Sequence, residues 1–347
     1  MLPYDSIYEY VKTFEKDMTV LLCKKKANCR LVNSIPKEVT ILDEANLTFL
    51  PKSIKNPVEV ENERIAHIKD GVALTKFICW LKKNVGKIPI TELSAGEKLY
   101  SFRAQQENFI DNSFDPIISY GIHAAINHYS ATPETDIAIE PGNFLLADTG
   151  GHYYEGTTDT TRTIVMGSVN DEQKKYFTAV LRGMLNLGNA KFRYGCTGVN
   201  LDYLARGPLW EMGQDFNHGT GHGVGYLLNV HEGPNSFRWR IIQGDNAVLE
   251  EGMITSDEPG YYVENQYGIR HENLLVCKKA EKTSFGQFMC FEHLTMVPFD
   301  LDAIVPELMT VQERALLNNY HAQVYKKISP YLEEEEKEWL KEATREI

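Results

Sequence analysis

No apolar run in the sequence approaches the roughly 18 residues that a transmembrane helix needs, so no membrane span is predicted. The opening, MLPYDSIYEYVKTFEKD, has no basic start followed by an apolar block, and no secretory signal is expected. The six cysteines, at 23, 29, 79, 196, 277 and 290, form no C-x-x-C pair. Most stand in apolar runs, as Cys79 does in Phe77-Ile-Cys-Trp-Leu81. That predicts buried free thiols in a reducing cytoplasm, rather than disulfides or a zinc knuckle. Positive charge is also short: 36 Lys and Arg face 48 Asp and Glu, a formal net charge of −12. This argues against a nucleic-acid partner, which favours a basic face. Short-period repeats and low-complexity segments are missing as well.

What is present is 347 residues, 43% of them hydrophobic, enough for one large domain or two modest ones. Residues 1–53 read as a small α/β piece: a helix from Tyr4 to Phe14, then strand-length runs at Thr19–Cys23 and Val39–Leu42. A boundary falls near Pro51 to Pro57, and residues 54–347 form the second domain. Asn56, Pro57 and Glu59 make a capping box for a helix to about Lys83, with Ile65, Ile68, Val72, Ile78 and Leu81 among its apolar positions. Further helices are expected from Thr91, from Asn170 with Gln173, over Val199 to Trp210 with an interruption at Gly207-Pro208, and from Thr310 with Glu313. The tail, Leu332 to Leu340, reads as a solvated acidic helix anchored by Trp339 and Leu340. Strands and glycine turns fill residues 113–165 and 216–297.

The chemistry centres on Asp148 to Asp159, DTGGHYYEGTTD. Leu145-Leu-Ala147 leads into the first aspartate, the mostly β-branched run Thr160 to Val165 follows the second, and glycines at 150, 151 and 156 lie between. This is a strand–turn–strand pattern that brings two carboxylates to one place. Two acids at one site repel unless positive charge separates them, which points to a metal. Three later segments offer more ligands: Asn217 to Gly225 with Asn229 to Pro234, Thr255 to Tyr261, and Tyr267 to Leu275. His218 and His222 have the spacing of helical zinc ligands, but glycines at 219, 221, 223 and 225 disfavour a helix there.

Asp148, Asp159, His222, Glu258 and Glu272, in that order and setting, resemble the ligands of the pita-bread-fold metallopeptidases. Within that family several strings are similar to the cytosolic type of Xaa-Pro aminopeptidase: Lys55-Asn-Pro-Val-Glu59, Glu155 to Thr163, His218 to Gly225, Asn229 to Pro234 and Gly268 to Asn273. The resemblance covers about residue 54 onward, and residues 1–53 look like the end of the family's preceding domain. It implies an α+β catalytic domain with a curved, mainly antiparallel sheet. It also implies two divalent cations, which an oxygen-rich shell without thiolates suits to manganese, with cobalt or zinc as replacements. Asp159 and Glu272 would bridge them, Asp148 would complete one shell, and His222 with Glu258 the other.

The implied activity is release of the N-terminal residue from peptides with proline in second position, by attack of a metal-bridging hydroxide. By the same resemblance His231, Glu258 and His218 are the catalytic side chains, with Glu258 shuttling a proton, and His128, His218, His231 and Arg270 meet substrate. Arg270 would orient the bridging carboxylates or form a structural ion pair. His271 should face away from Glu272. The family often has Gly-Pro-Asn-Gly ahead of the pocket histidine, where this chain has Gly121-Ile-His-Ala124. A cytoplasmic homodimer is the expected setting. Two alternatives stay open: a prolidase restricted to Xaa-Pro dipeptides, and a truncated or non-catalytic protein that keeps the metal site.

Overall fold

A computed structural model describes residues 1–347 except Leu228, Gln243 and Asp245. The chain divides into two compact units, Met1–Lys52 and Ser53–Ile347. In the first, strands Thr19–Leu21 and Thr40–Leu42 pair in parallel, with helix Cys29–Ser34 in the connection between them. A parallel pair needs such a crossover. Val11, Ile35 and Val39 are its buried apolar residues. The helix expected from Tyr4 to Phe14 is a 3-10 turn, Tyr4–Ser6, followed by the short helix Ile7–Val11.

In the second unit, capping chemistry starts the helices where local sequence places it. The Asn56 side chain accepts from the backbone N–H groups of Val58 and Glu59, and Glu59 returns a bond to Asn56 N, opening helix Pro57–Asn84. Reciprocal caps at Thr91 with Ser94, Asn170 with Gln173 and Thr310 with Glu313 open Glu92–Arg103, Asp171–Gly188 and Val311–Ile328. The tail forms helix Glu334–Ala343, with Leu340 buried. Two expectations differ. Ile65 is 39% exposed, because the long helix turns Glu63, His67 and Asp70 inward instead. The predicted helix over 199–210 begins only at Tyr203 and runs through Pro208 to Trp210. Proline removes a single backbone bond there, while Ala205, Arg206 and Leu209 stay buried on the same turns.

All named strand pairs of this unit are antiparallel, distributed over several short sheets. One sheet has the order Ile117–Tyr120, Asn143–Thr149, Thr160–Met166. Another has the order Ile254–Asp257, Asn273–Thr283, Gly286–His293, Lys191–Arg193. Helix Asp171–Gly188 buries Phe177, Val180, Leu181, Met184 and Leu185 in one core with Phe144, Val165 and Ile269. The mixture is α+β.

The polar stripe of the long helix faces the acidic hairpin. Glu63 accepts from Thr157 N at 3.2 Å. Asp70 accepts from Arg103 Nε at 2.7 Å and from the Tyr153 hydroxyl at 3.0 Å, and Arg103 Nη2 reaches Thr149 Oγ1 at 3.0 Å. All of these side chains are buried, so Asp70→Asn leaves the Arg103 guanidinium without its anion. A loss of about 3–5 kcal/mol of stability is expected from urea unfolding. A loss below about 1 kcal/mol, the scale of an exposed pair, would contradict this role for Asp70.

Candidate metal centre

Strand register builds the centre. Asp148 pairs with Thr161 and Thr149 with Thr160 across the antiparallel strands Asn143–Thr149 and Thr160–Met166. Asp159 immediately precedes the second strand and shares a face with Thr161 two residues on. Glu272 is tied to the same place twice: its N–H donates to Thr161 O at 3.1 Å, and Thr161 Oγ1 donates to its Oε2 at 2.7 Å. His222 lies on the two-residue strand Gly221–His222, whose N–H at His222 donates to Ser256 Oγ at 2.9 Å. Glu258 N donates to Thr220 O at 2.8 Å, which brings Glu258 alongside. The glycines serve close chain approach here: a Cβ at Gly221 would stand 1.8 Å from Ser256 O, and one at Gly223 2.2 Å from Glu232 O. The segment is extended, so His218 and His222 are not a helical pair.

Ligand-type atoms of Asp159, His222 and Glu272 all lie within 4.8 Å of one another. His222 Nε2 is 3.5 Å from Asp159 Oδ2 and 3.3 Å from Glu258 Oε1. Its Nδ1 faces the Gly223 carbonyl at 3.0 Å, and a carbonyl only accepts. Nδ1 therefore carries a proton, and Nε2 is the ring nitrogen that points at the carboxylates. Glu272 Oε1 is buried with no hydrogen-bond partner. Asp148 stands outside the trio, its Oδ2 bonded to Arg270 Nη2 at 2.5 Å.

The electrostatics match. Burial, then Asp148 and Glu258, hold the Asp159 carboxyl well above the usual range. Burial, then Asp159, Glu258 and Asp148, do the same to Glu272, and burial also raises Glu258. Crowded carboxyls beside an imidazole nitrogen and an orphaned buried oxygen fit a divalent cation, whose charge would remove the repulsion. The oxygen-rich donor set suits a hard or borderline ion.

The other expected residues separate. His231 is exposed and packs its ring 4.2 Å from that of His222. Burial, with His222 and His128, lowers its pKa to about 4, so the ring is neutral at neutral pH. His128 is exposed and adds to the same effect on both His231 and His218. His218 has both nitrogens engaged: Nδ1 with Gly219 O at 2.8 Å and Nε2 with the Tyr262 hydroxyl at 2.9 Å. Burial and Arg270 lower its pKa to about 3. Arg270 bonds Asp148 rather than Asp159 or Glu272, and reaches Glu272 only through Thr161 Oγ1, 3.3 Å from Arg270 Nε. His271 is buried against Phe177 and Phe299, away from the carboxylates.

Sequence reasoning passed over Tyr262, Ser256 and Thr161. Tyr262 accepts from Arg270 Nη1 at 2.8 Å and, since His218 Nδ1 carries its proton, donates to His218 Nε2. Ser256 takes the His222 N–H and donates to Glu258 Oε1 at 2.9 Å. Period-two alternation places Thr161 on the face of Asp159, a signal the sequence does carry.

The metallopeptidase family M24 model matches residues 61–279, and that of the family's C-terminal region matches 287–347. A probable Xaa-Pro aminopeptidase P of Paracoccidioides brasiliensis (strain Pb03) is 43% identical over 303 residues, which are 85% of this chain and 49% of that protein. An X-prolyl aminopeptidase from Caenorhabditis elegans, whose crystal structure is that of a cytosolic enzyme with a di-nuclear active site, aligns with TM-score 0.91 and 34% identity, over 99% of this chain and 58% of that one. Prolidase from Pyrococcus furiosus aligns with TM-score 0.66 and 26% identity, over 85% and 80% of the two chains. The chain spans about half the length of the curated relatives it matches.

Metal removal gives a test of the crowding. Asp159, Glu258 and Glu272 have folded-state pKa values above their unfolded ones. Their contribution to stability is full below the unfolded carboxylate pKa and is lost as pH rises through the raised values. In chelator, the thermal midpoint of the wild-type protein is expected to fall more steeply than that of Glu272→Gln as pH rises above the ordinary carboxylate range, and manganese should flatten the difference. Equal slopes for the two proteins in chelator would contradict it.

Proposed function

From the premise that the chain belongs to metallopeptidase family M24, we propose that it is a dinuclear metallo-aminopeptidase, which releases the N-terminal residue from peptides with proline in second position. The observation that carries the reading is the convergence of ligand atoms of Asp159, His222 and Glu272 within 4.8 Å of one another. Asp159 and Glu272 would be shared between two cations, with Asp148 on one and His222 and Glu258 on the other. When bound, the cations supply an activated water nucleophile near neutral pH and polarise the scissile carbonyl.

The chain's own groups have distinct parts in this proposal. Ser256 orients Glu258 through Oε1, which leaves the other carboxylate oxygen to hold and pass a proton. His231 is neutral and, among the described residues, no hydrogen bond within the protein engages its ring. It is free to donate to the substrate carbonyl. His218 was expected among the catalytic and substrate-holding side chains, but its committed nitrogens make it a support for Tyr262 and Arg270. His128 is the remaining substrate contact proposed.

Manganese, a cytoplasmic location and a homodimer belong to the same reading. Hard oxygen ligands support the first, and the cytosolic enzyme of Caenorhabditis elegans supports the second. The third follows from the family resemblance and is read directly by sedimentation.

The test is elemental analysis together with hydrolysis of an Xaa-Pro-Pro tripeptide and an Xaa-Pro dipeptide in manganese. Two cations per chain and release of the first residue of the tripeptide are expected, with turnover at least about 1,000-fold lower in Asp159→Ala. Cleavage of the dipeptide alone would favour the prolidase activity of the Pyrococcus furiosus neighbour. Two cations without turnover would leave a metal-binding protein, and no cation in manganese-replete protein would sink the proposal.

A further inference from the structure

Arg162 follows Thr161 on the strand and faces the packed interior behind the acidic centre. It is 1% exposed. Its guanidinium Nη1 donates to the carbonyls of Thr161 at 2.9 Å and Glu272 at 2.5 Å. Nη2 donates to Asn273 Oδ1 and Val297 O, both at 2.8 Å, and to the Tyr320 hydroxyl at 3.0 Å, while Nε donates to Pro298 O at 3.2 Å. The Phe299 ring centroid lies 3.9 Å from its central carbon. Among the described residues, no carboxylate forms an ion pair with it. A buried cation held by carbonyls and hydroxyls costs more than an apolar side chain of similar volume. What a guanidinium adds is a rigid planar fork that can join two backbone segments.

Those segments carry the ligands. The Thr161 carbonyl receives both Glu272 N–H and Arg162 Nη1, and the Thr161 hydroxyl donates to Glu272 Oε2. Together with the Nη1 bond to Glu272 O, these contacts tie both the backbone and the carboxylate of Glu272 to the strand that begins after Asp159. We propose that Arg162 is a positioning residue: its guanidinium, bonded to the carbonyls of Thr161 and Glu272, fixes the spacing between Asp159 and Glu272 on which cation binding depends. This rests on the functional reading above, in which both carboxylates are shared by two cations. A shared carboxylate must meet both ions at once, so displacing it costs more than displacing a ligand of one.

The test compares wild-type protein, Arg162→Lys and Thr161→Val, each shown to be folded by circular dichroism and held well below its unfolding midpoint. Manganese affinities come from calorimetry, and ligand geometry from the absorption bands of the cobalt-loaded protein. Lysine keeps the charge but has a single nitrogen, which cannot hold the Thr161 and Glu272 carbonyls together with Asn273, Val297 and Pro298 as the guanidinium does. Arg162→Lys should bind the more weakly held cation about 10–100-fold less tightly and shift the cobalt bands, with kcat reduced and KM little changed. Thr161→Val removes the hydroxyl arm of the same clasp and should move the same readouts the same way. It carries the test if the arginine variant does not fold. Folded variants with wild-type affinities and cobalt bands overturn the proposal, even if they melt earlier, because that is the behaviour of a merely structural arginine. Wild-type protein that binds no cation is a separate outcome, which overturns the functional reading and this inference with it.

Discussion

Carboxylates taken out of water and set around one imidazole repel one another, and much of the second unit is arranged about that repulsion. Three arginines share the response, each from a different side. Arg270 meets Asp148 directly. Arg103 is neutralised by Asp70, yet its charge is still felt at Asp159. Arg162 has no acid of its own and lies behind Glu272. Among the described residues, none of them forms an ion pair with the carboxylate of Asp159 or Glu272.

Protonation states sort the histidines by role more sharply than position does. His218, His222 and His231 all stand at the centre, but their hydrogen bonds differ. His222 spends Nδ1 on a backbone carbonyl and turns Nε2 toward carboxylates, the arrangement of a metal ligand. His218 spends both nitrogens on the protein. His231 spends neither within the described residues and is exposed. The chain Arg270 to Tyr262 to His218 to Gly219 O has one consistent set of donors, which fixes the Tyr262 hydroxyl and holds Arg270 in place on Asp148.

What could be read from sequence follows the range of the interactions involved. Helix starts at Asn56, Thr91, Asn170 and Thr310 were legible because a cap is settled within four residues. The acidic hairpin was legible because its turn and flanking strands are contiguous. The inward turn of Glu63, His67 and Asp70 was not, since helix periodicity reports where apolar residues lie and not that a buried hairpin will supply polar partners. Tyr262, Ser256 and the partner of Arg270 were hidden for a related reason. Each depends on which strands become neighbours, and that register is set by packing far along the chain.

The strand from Asp159 to Arg162 shows how a two-residue period divides labour. Asp159 and Thr161 face the centre, one as a carboxylate and the other as a hydroxyl that donates to Glu272. Thr160 and Arg162 face away, and Arg162 reaches back around the edge to the carbonyls of Thr161 and Glu272. A one-residue slip would exchange the faces, burying an aspartate in the apolar core and turning a guanidinium into the cation's place. Register on this strand is therefore held from both sides. Acid-side contacts gain only when Thr161 meets Glu272, and core-side contacts gain only when Arg162 meets Phe299 and the carbonyls around it. The order of charges around the centre is a consequence of packing on the face that never touches it.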